Sequence, residues 1–227
     1  MDRNVPAGVR PPPAETTGTV RRGAVAMVVT MVVCLAVALI SNGLTVQKPP
    51  PQPGAAQGFA APGRSPGPDG SAAPLPSSVP ERVRIPALRV DAPLMPLGLE
   101  KNGSLAAPPD DARNLAGWYK DGTRPGSTGT AVIAGHVDNQ HGPAVFYGLG
   151  SLNKGNTVQV VRTDGATAVF TIDAVEVYTA EAFPDKKVYG AASRPELRLI
   201  TCGGGFDTKH QHYLGNVVVY AHLTGTG

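Results

Sequence analysis

Short apolar and β-branched runs alternate with polar turn residues from residue 81 to the end of the sequence. Gly, Pro, Asn and Asp separate these runs, a pattern typical of strands joined by tight turns. The candidate strands are 82–85, 90–93, 97–99, 130–135, 157–162, 168–178, 196–201 and 216–223. Helical periodicity is scarce, with one short helix expected within 144–152. About eight short strands predict an all-β fold, a closed or nearly closed barrel.

A different pattern precedes the strands. Residues 1–22 are a polar arm that ends in Arg21-Arg22, and residues 23–46 carry no charge. An uncharged stretch of this length can span the ~30 Å hydrocarbon core as a helix, and the preceding arginines orient the N-terminus to the cytoplasm. A cleaved signal peptide is the alternative, but it normally ends in a small-x-small site. Because Leu39-Ile40-Ser41-Asn42-Gly43 offers no such site, we predict an uncleaved transmembrane anchor.

Proline, glycine and alanine dominate residues 47–80. Such a composition buries too little apolar surface to fold, and its prolines keep the chain extended. We therefore predict a disordered spacer over 47–80, outside the membrane, and one domain over 81–227, a comfortable size for a single core.

The charge balance and cysteine content narrow the class of function. A net charge of +3 and an aromatic content of 5% argue against a nucleic-acid partner. Cys34 lies inside the apolar segment, which leaves Cys202 as a lone thiol in a compartment that permits disulfides. A leftover thiol of this kind suggests reactivity, although a buried and inert cysteine is the alternative.

Cys202 ends an apolar run and opens onto Gly203-Gly204-Gly205. His136 ends a second apolar run that begins at Thr130. A cysteine and a histidine at the ends of separate strands are candidates for a nucleophile and its acid–base partner. The sequence therefore predicts a site built on Cys202 and His136.

These motifs resemble the sortase family, the cysteine transpeptidases that attach proteins to Gram-positive cell walls. Residues 199–202, Leu-Ile-Thr-Cys, are similar to the family's Thr-Leu-x-Thr-Cys signature, and Ala134-Gly135-His136 is similar to its histidine block. His136-Val137-Asp138 and the Cys-Gly-Gly-Gly-Phe-Asp of residues 202–207 are most similar to the actinobacterial class F.

The resemblance implies an eight-stranded barrel, held outside the cell by the anchor, with no cofactor and no metal. It further implies that Cys202 attacks the Thr–Gly bond of an LPxTG-type sorting signal on a secreted protein. The resulting thioester is passed to an amine acceptor, such as a cell-wall precursor or a pilin lysine. Thr201 is a candidate substrate contact beside the nucleophile, or simply a β-branched residue that suits a strand.

One position departs from the family. Sortases carry an essential arginine on the last strand, where this sequence has Asn216, and no arginine follows Arg198. Arg198 lies four residues before Cys202, so the two side chains share a strand face at a Cα separation of about 13 Å. We expect Arg198 to stabilise the oxyanion, with Asn216 as the alternative donor. A purely structural arginine is the competing interpretation.

Two alternative interpretations of the function remain. The missing arginine favours a non-enzymatic envelope binding domain on the same barrel. His210 and His212 have a His-x-His spacing that is compatible with a metal site, although solvated loop histidines are the commoner case.

Overall fold

The computed structural model describes residues 48–59 and 70–227. Within these ranges the chain forms ten strands, one α-helix and three 3-10 helices. The strands are β1 (Pro80–Ile85), β2 (Val90–Leu97), β3 (Ala116–Tyr119), β4 (Gly129–Gly135), β5 (Asp138–Asn139), β6 (Gly142–Pro143), β7 (Thr157–Arg162), β8 (Thr167–Thr179), β9 (Pro195–Asp207) and β10 (His212–Thr226). The helix α1 is Asp185–Tyr189, and the 3-10 helices are Ala55–Gln57, Pro86–Leu88 and Leu149–Ser151.

Eight of the strands close into a barrel in the order β1-β2-β3-β4-β9-β10-β8-β7. The β2–β3 and β4–β9 pairs are parallel. The other pairs are antiparallel, including β7–β1, which completes the barrel. β5 and β6 form a separate two-stranded ribbon. The all-β, eight-stranded barrel that the sequence predicts is confirmed.

The barrel interior is filled by alternate residues of the long strands. Phe170 and Ile172 of β8, Leu199 of β9 and Val219 of β10 are at most 2% exposed and belong to one cluster. Successive side chains on a strand point to opposite faces, so the residues that alternate with these core positions, such as Ile200 and Cys202 of β9, face outward. Residues 144–152, where a helix was expected, contain only the 3-10 turn Leu149–Ser151. That turn contributes the buried Leu149 to the barrel core.

A second apolar layer covers part of the outer face. Val188 of α1 packs with Ile200, Val218 and Tyr220 of the central strands, and Phe183 packs against this group. The loop and helix after β8 therefore form a wall over β9 and β10. This wall creates the groove described below.

Three strand predictions need correction. Residues 90–93 and 97–99 are expected as two strands, but β2 is continuous from Val90 to Leu97. β3 was not predicted, because Ala116-Gly117-Trp118-Tyr119 has no β-branched residue. β9 does not end at Thr201 but runs on through the three glycines to Asp207, because β10 continues to pair with it there.

The described parts of the predicted spacer lie against the barrel. Ala72 N–H donates to the Leu223 carbonyl at 2.9 Å, and Leu75 N–H donates to the Gly126 carbonyl at 2.8 Å. Residues 49–59 also contact the domain. The rest of the spacer, 60–69, and the predicted anchor over 23–46 lie outside the described residues. No helix among the residues described has the length and apolar character that a membrane span requires.

Candidate active site

The register of the parallel β4–β9 pair aligns Cys202 with His136. The last pair of this ladder is Ala134 with Ile200, so continuing the register by two residues sets His136 beside Cys202. Because side chains alternate along a strand, both residues lie on the outer face with Ala134 and Ile200. His136, Cys202 and both of those residues line one groove. The fold thus brings the two predicted residues together.

Thr201 fastens the two strand ends to each other. Its hydroxyl donates a 2.8 Å hydrogen bond to the carbonyl of Gly135, the residue before His136. Thr201 is only 4% exposed, and its side chain lies on the face opposite that of Cys202. The arrangement makes Thr201 a link between the cysteine strand and the histidine strand.

His136 is held by the loop between β2 and β3. Its Nε2–H donates to the Pro108 carbonyl at 2.7 Å, and Nε2 lies 3.6 Å from the Asp110 carboxylate. The imidazole is half-buried, while Asp110 is exposed. These contacts fix the orientation of the ring.

Cys202 is a free cysteine and is exposed at the surface. Even so, the atoms packed around the sulfur desolvate it, and this raises the pKa of the thiol above its usual range. The carboxylate of Asp138 raises the pKa further. A neutral thiol therefore predominates at neutral pH, and a base must remove its proton before it attacks a carbonyl.

Asp138 joins the histidine loop to the β9–β10 hairpin. The Tyr213 hydroxyl donates a 2.6 Å hydrogen bond to Asp138 Oδ2, and burial, followed by this bond, raises the pKa of Tyr213. The Tyr213 ring meets the Phe206 ring edge-on at 5.0 Å. Asp138 thus lies close enough to influence the Cys202 thiol.

Asn216 lies directly opposite Cys202 in the β9–β10 ladder. It is half-buried and lines the same groove. Opposed residues in an antiparallel pair project to one face with Cβ atoms about 4.5–5.5 Å apart. A side-chain amide carries two N–H donors, so Asn216 can donate to an oxygen bound next to the sulfur.

The Arg198 guanidinium is directed away from the groove. Its Nη2 donates to Glu196 Oε2 at 2.6 Å, and its Cζ lies 4.6 Å from the centre of the Tyr220 ring. Arg198 is 6% exposed. Glu196 lies farther along β9 from Cys202 than Arg198 does. The expectation that Arg198 serves the oxyanion therefore does not fit its contacts, which are those of a structural arginine.

The groove has a volume of about 1130 Å³. Its floor is the outer face of β4 and β9, and its walls come from residues 99–108 and 180–192. The lining is mainly apolar and includes Leu105, Phe183 and Tyr189, with His136, Cys202 and Asn216 grouped together. An extended peptide could lie here with one carbonyl against the sulfur.

The histidines of the β9–β10 turn lie apart from this group. His210 Nδ1–H donates to Asp207 Oδ2 at 2.6 Å and is largely exposed. Its ring is 6.1 Å from that of His212. Over 48–59 and 70–227, no cluster of three or more His, Cys, Asp or Glu side chains is arranged to hold a metal ion.

A family profile described as Sortase domain matches residues 83–224, more than half of the chain. The chain belongs to the sortase family. Members of this family are cysteine transpeptidases. No curated protein matches the sequence.

Solved structures with a similar fold are also sortases. Sortase A from Corynebacterium diphtheriae is 19% identical with a TM-score of 0.50, and the match covers 68% of this chain and 63% of that one. This sortase therefore spans less than two thirds of the C. diphtheriae chain. Sortase A from Listeria monocytogenes is 18% identical, with a TM-score of 0.48 and coverages of 66% and 90%. Sortase C-1 from Actinomyces oris is 19% identical, with a TM-score of 0.49 and coverages of 63% and 73%.

Sequence reasoning missed several residues around the cysteine and histidine. Pro108 and Asp110 belong to an irregular loop that carries no motif, and only the fold brings them to His136. Tyr213 could have been noticed as an aromatic residue on the strand that returns towards Cys202. Its bond to Asp138 spans 75 positions in sequence and has no local signal.

Proposed function

We propose that this sortase is a cell-surface cysteine transpeptidase that cleaves an LPxTG-type sorting signal through a thioester on Cys202. The observation that carries the proposal is that Cys202, His136 and Asn216 share one face of the barrel and line one groove. A nucleophile, an acid–base group and an oxyanion donor are the three parts that acyl transfer needs.

In the first half-reaction the Cys202 sulfur attacks the scissile carbonyl carbon, and the thiol proton passes to His136. The C–N bond then breaks, and His136 gives that proton to the departing amine. In the second half-reaction an acceptor amine attacks the thioester carbonyl. Its proton passes to His136 and returns to the sulfur as the C–S bond breaks, so the enzyme ends as it began.

Negative charge develops on the carbonyl oxygen in each tetrahedral intermediate, and it requires a nearby donor. The Asn216 amide is the side chain that we assign to this role, because it lies opposite Cys202 in the ladder and lines the groove. Arg198 is not assigned, since its guanidinium is committed to Glu196 and Tyr220. Thr201 acts as a positioning residue through its bond to Gly135.

The test is to incubate the protein with an LPxTG-type peptide library and an amine acceptor, and to analyse both protein and products by mass spectrometry. We expect an acyl adduct on Cys202 and a product in which the amine replaces the C-terminal part of the peptide. Cys202→Ala, treated in the same way, is the matched control. Peptides that bind but give neither adduct nor product would refute the proposal.

A non-enzymatic envelope binding domain is the second candidate. It is favoured by two observations: the pKa of Cys202 is raised rather than lowered, and an asparagine stands where the family has its essential arginine. The same incubation separates the two functions, because a binding domain retains a bound peptide unchanged and unaffected by Cys202→Ala.

The remaining assignments are finer and rest on sequence. The glycine-rich run after Cys202 supports class F among the sortases. The uncharged segment 23–46 supports a single-pass membrane anchor with the catalytic domain outside the cell. Secreted proteins that carry a C-terminal sorting signal are then the acyl donors, and a cell-wall precursor or a pilin lysine is the acceptor.

A further inference from the structure

Residues 49–59 contact the barrel at several points and contain the 3-10 helix Ala55–Gln57, and we call this segment the strap. We propose that Gln52 of the strap is a positioning residue. It holds the irregular part of β9 at residues 203–205, which we call the glycine turn, and so fixes the nucleophile. The inference rests on the proposed transpeptidase function, and it concerns a part of the chain whose composition predicted only a spacer.

The strap meets the glycine turn through one side chain. Gly204 N–H donates to Gln52 Oε1 at 3.3 Å, two residues beyond the nucleophile. The other end of the Gln52 amide is also engaged, because Nε2 donates to the Pro50 carbonyl at 3.2 Å. This second bond fixes which atom of the amide faces Gly204.

The turn needs an external support because the strand ladder is irregular there. Gly203 pairs with Gly215, and Phe206 pairs with Tyr213. Gly204 and Gly205 therefore face Leu214 alone, as in a β-bulge. Both glycines have positive φ, at 75° and 101°, a conformation that glycine adopts freely and also leaves freely.

The strap passes so close to the barrel that one position must be glycine. A Cβ at Gly150, in the 3-10 turn Leu149–Ser151, would overlap the Pro51 carbonyl oxygen. Pro51 is the residue before Gln52. The backbone of the strap is therefore seated against the domain at the point where Gln52 reaches Gly204.

The far end of the strap is anchored separately. Lys154 N–H donates to Gln57 Oε1 at 2.9 Å, and Lys154 Nζ donates to the Gly58 carbonyl at 2.7 Å. Phe59 N–H donates to Glu176 Oε1 at 2.9 Å, and the Phe59 ring packs edge-on against Tyr220 at 5.0 Å. These contacts hold the strap in place without involving the glycine turn.

The consequence for catalysis is geometric. Cys202 lies two residues beyond the last β4–β9 backbone pair, where it is held by its partner Asn216 and by the neighbouring Thr201–Gly135 bond, and the bulge begins two residues later. A loose turn would let the sulfur move relative to His136, and a displacement of ~1 Å can cost on the order of 10²-fold in rate. The Gln52 bond limits this movement.

The test uses the full chain with three readouts: amide hydrogen exchange over residues 203–207, alkylation of Cys202 by iodoacetamide, and kcat and KM for an LPxTG-type peptide. We expect Gln52→Ala to speed Gly204 exchange by about fivefold, as for a lost neutral hydrogen bond. We also expect it to lower kcat by roughly 10- to 100-fold with little change in KM. Gly150→Ala, which displaces the strap from the barrel side, should act in the same way.

Two variants serve as controls. Gln52→Glu keeps an acceptor for Gly204 N–H and should retain slow exchange. Gln57→Ala removes an amide of the same kind at the far end of the strap, and it should leave both Gly204 exchange and kcat close to those of the unaltered chain. Melting temperatures for all variants identify any general loss of stability.

Unchanged Gly204 exchange in both Gln52→Ala and Gly150→Ala would overturn the proposal, whatever the activity. Faster exchange with unchanged kcat would also overturn it, because the turn would then be held without positioning the nucleophile. If the unaltered chain forms no adduct with any peptide, the proposed function fails instead. Exchange and the alkylation rate of Cys202 then still decide whether Gln52 controls the turn, and equal alkylation rates in Gln52→Ala and the unaltered chain would refute it.

Discussion

Asn216 and Cys202 are partners in the antiparallel β9–β10 ladder, so the barrel brings the Asn216 side-chain amide opposite the proposed nucleophile. We expect Asn216→Ala to lower kcat by ~10²–10³, the usual cost of losing one oxyanion donor. Asn216→Asp should lose as much, because a carboxylate only accepts hydrogen bonds. The rate of adduct formation on Cys202 measures both.

Arg198→Ala is the control for that prediction. Its guanidinium bonds to Glu196 and packs over Tyr220, so we expect a loss of about 2 kcal/mol in unfolding free energy with turnover little changed. If Arg198→Ala instead loses turnover at unchanged stability while Asn216→Ala keeps it, the assignment of Asn216 is wrong.

The strands that carry the site could be predicted from sequence, because they are long and rich in β-branched residues. β4, β7 and β8 match their predicted positions to within one residue at each end, whereas β10 extends beyond its predicted range, 216–223, to His212–Thr226. The site partners Cys202 and His136 could be predicted because each ends or follows such a run. Their alignment depends on the parallel register of β4 and β9, which no local pattern encodes.

Local sequence patterns are least informative where a residue's role depends on distant contacts. Arg198 is a candidate oxyanion donor because it shares a strand face with Cys202. In the structure its guanidinium forms an ion pair with Glu196 on the same strand. Composition predicts a spacer over residues 47–80 because it reflects the average burial of a segment. It does not report single contacts such as Gln52 with Gly204.

The removal of either reacting side chain should stop the chemistry while leaving the barrel folded. Cys202 is exposed, so Cys202→Ala removes little packing, and we expect no adduct and no product. His136→Ala should reduce turnover by ~10²–10⁴, because the leaving amine loses its proton donor. Mass spectrometry of the acylated protein and melting curves provide the measurements. Turnover in Cys202→Ala equal to that of the unaltered chain would end the transpeptidase interpretation.

The orientation in the membrane is testable with intact cells. The uncharged segment 23–46 after Arg21-Arg22 predicts an N-in, C-out anchor. Protease added outside protoplasts should digest the domain and leave a short N-terminal fragment in the membrane. Full protection of the domain would contradict this orientation, and a mature protein that begins near Asn42 would show that the segment is cleaved.

Thr201 should matter through its hydroxyl rather than its shape. Thr201→Val keeps the β-branched form but loses the bond to the Gly135 carbonyl, and it leaves that acceptor unsatisfied. We expect a loss of ~1–3 kcal/mol in unfolding free energy and a lower kcat, as the two strand ends separate. Thr201→Ser retains the hydroxyl and should recover most of kcat. Equal activity in Thr201→Val and the unaltered chain would assign Thr201 to packing alone.

Asp138 gives the site a charge whose effect on pH dependence has a definite sign. Burial raises the pKa of the Cys202 thiol, and the Asp138 carboxylate raises it further because it disfavours a nearby thiolate. Asp138→Asn removes this negative charge, so the pKa should fall, although burial keeps it above the ordinary range. We expect the pH profile of Cys202 alkylation by iodoacetamide to move to lower pH, with faster alkylation at neutral pH.

Tyr213→Phe is the matched variant for Asp138→Asn. It removes the hydroxyl that donates to Asp138 but leaves the carboxylate and its charge in place, so the alkylation profile should stay at high pH. Because the Tyr213 bond also ties the β9–β10 hairpin to β5, this variant should still loosen the hairpin and speed amide exchange there. A profile that moves to lower pH in Tyr213→Phe but not in Asp138→Asn would mean that hairpin packing, and not the carboxylate, raises the pKa of the Cys202 thiol.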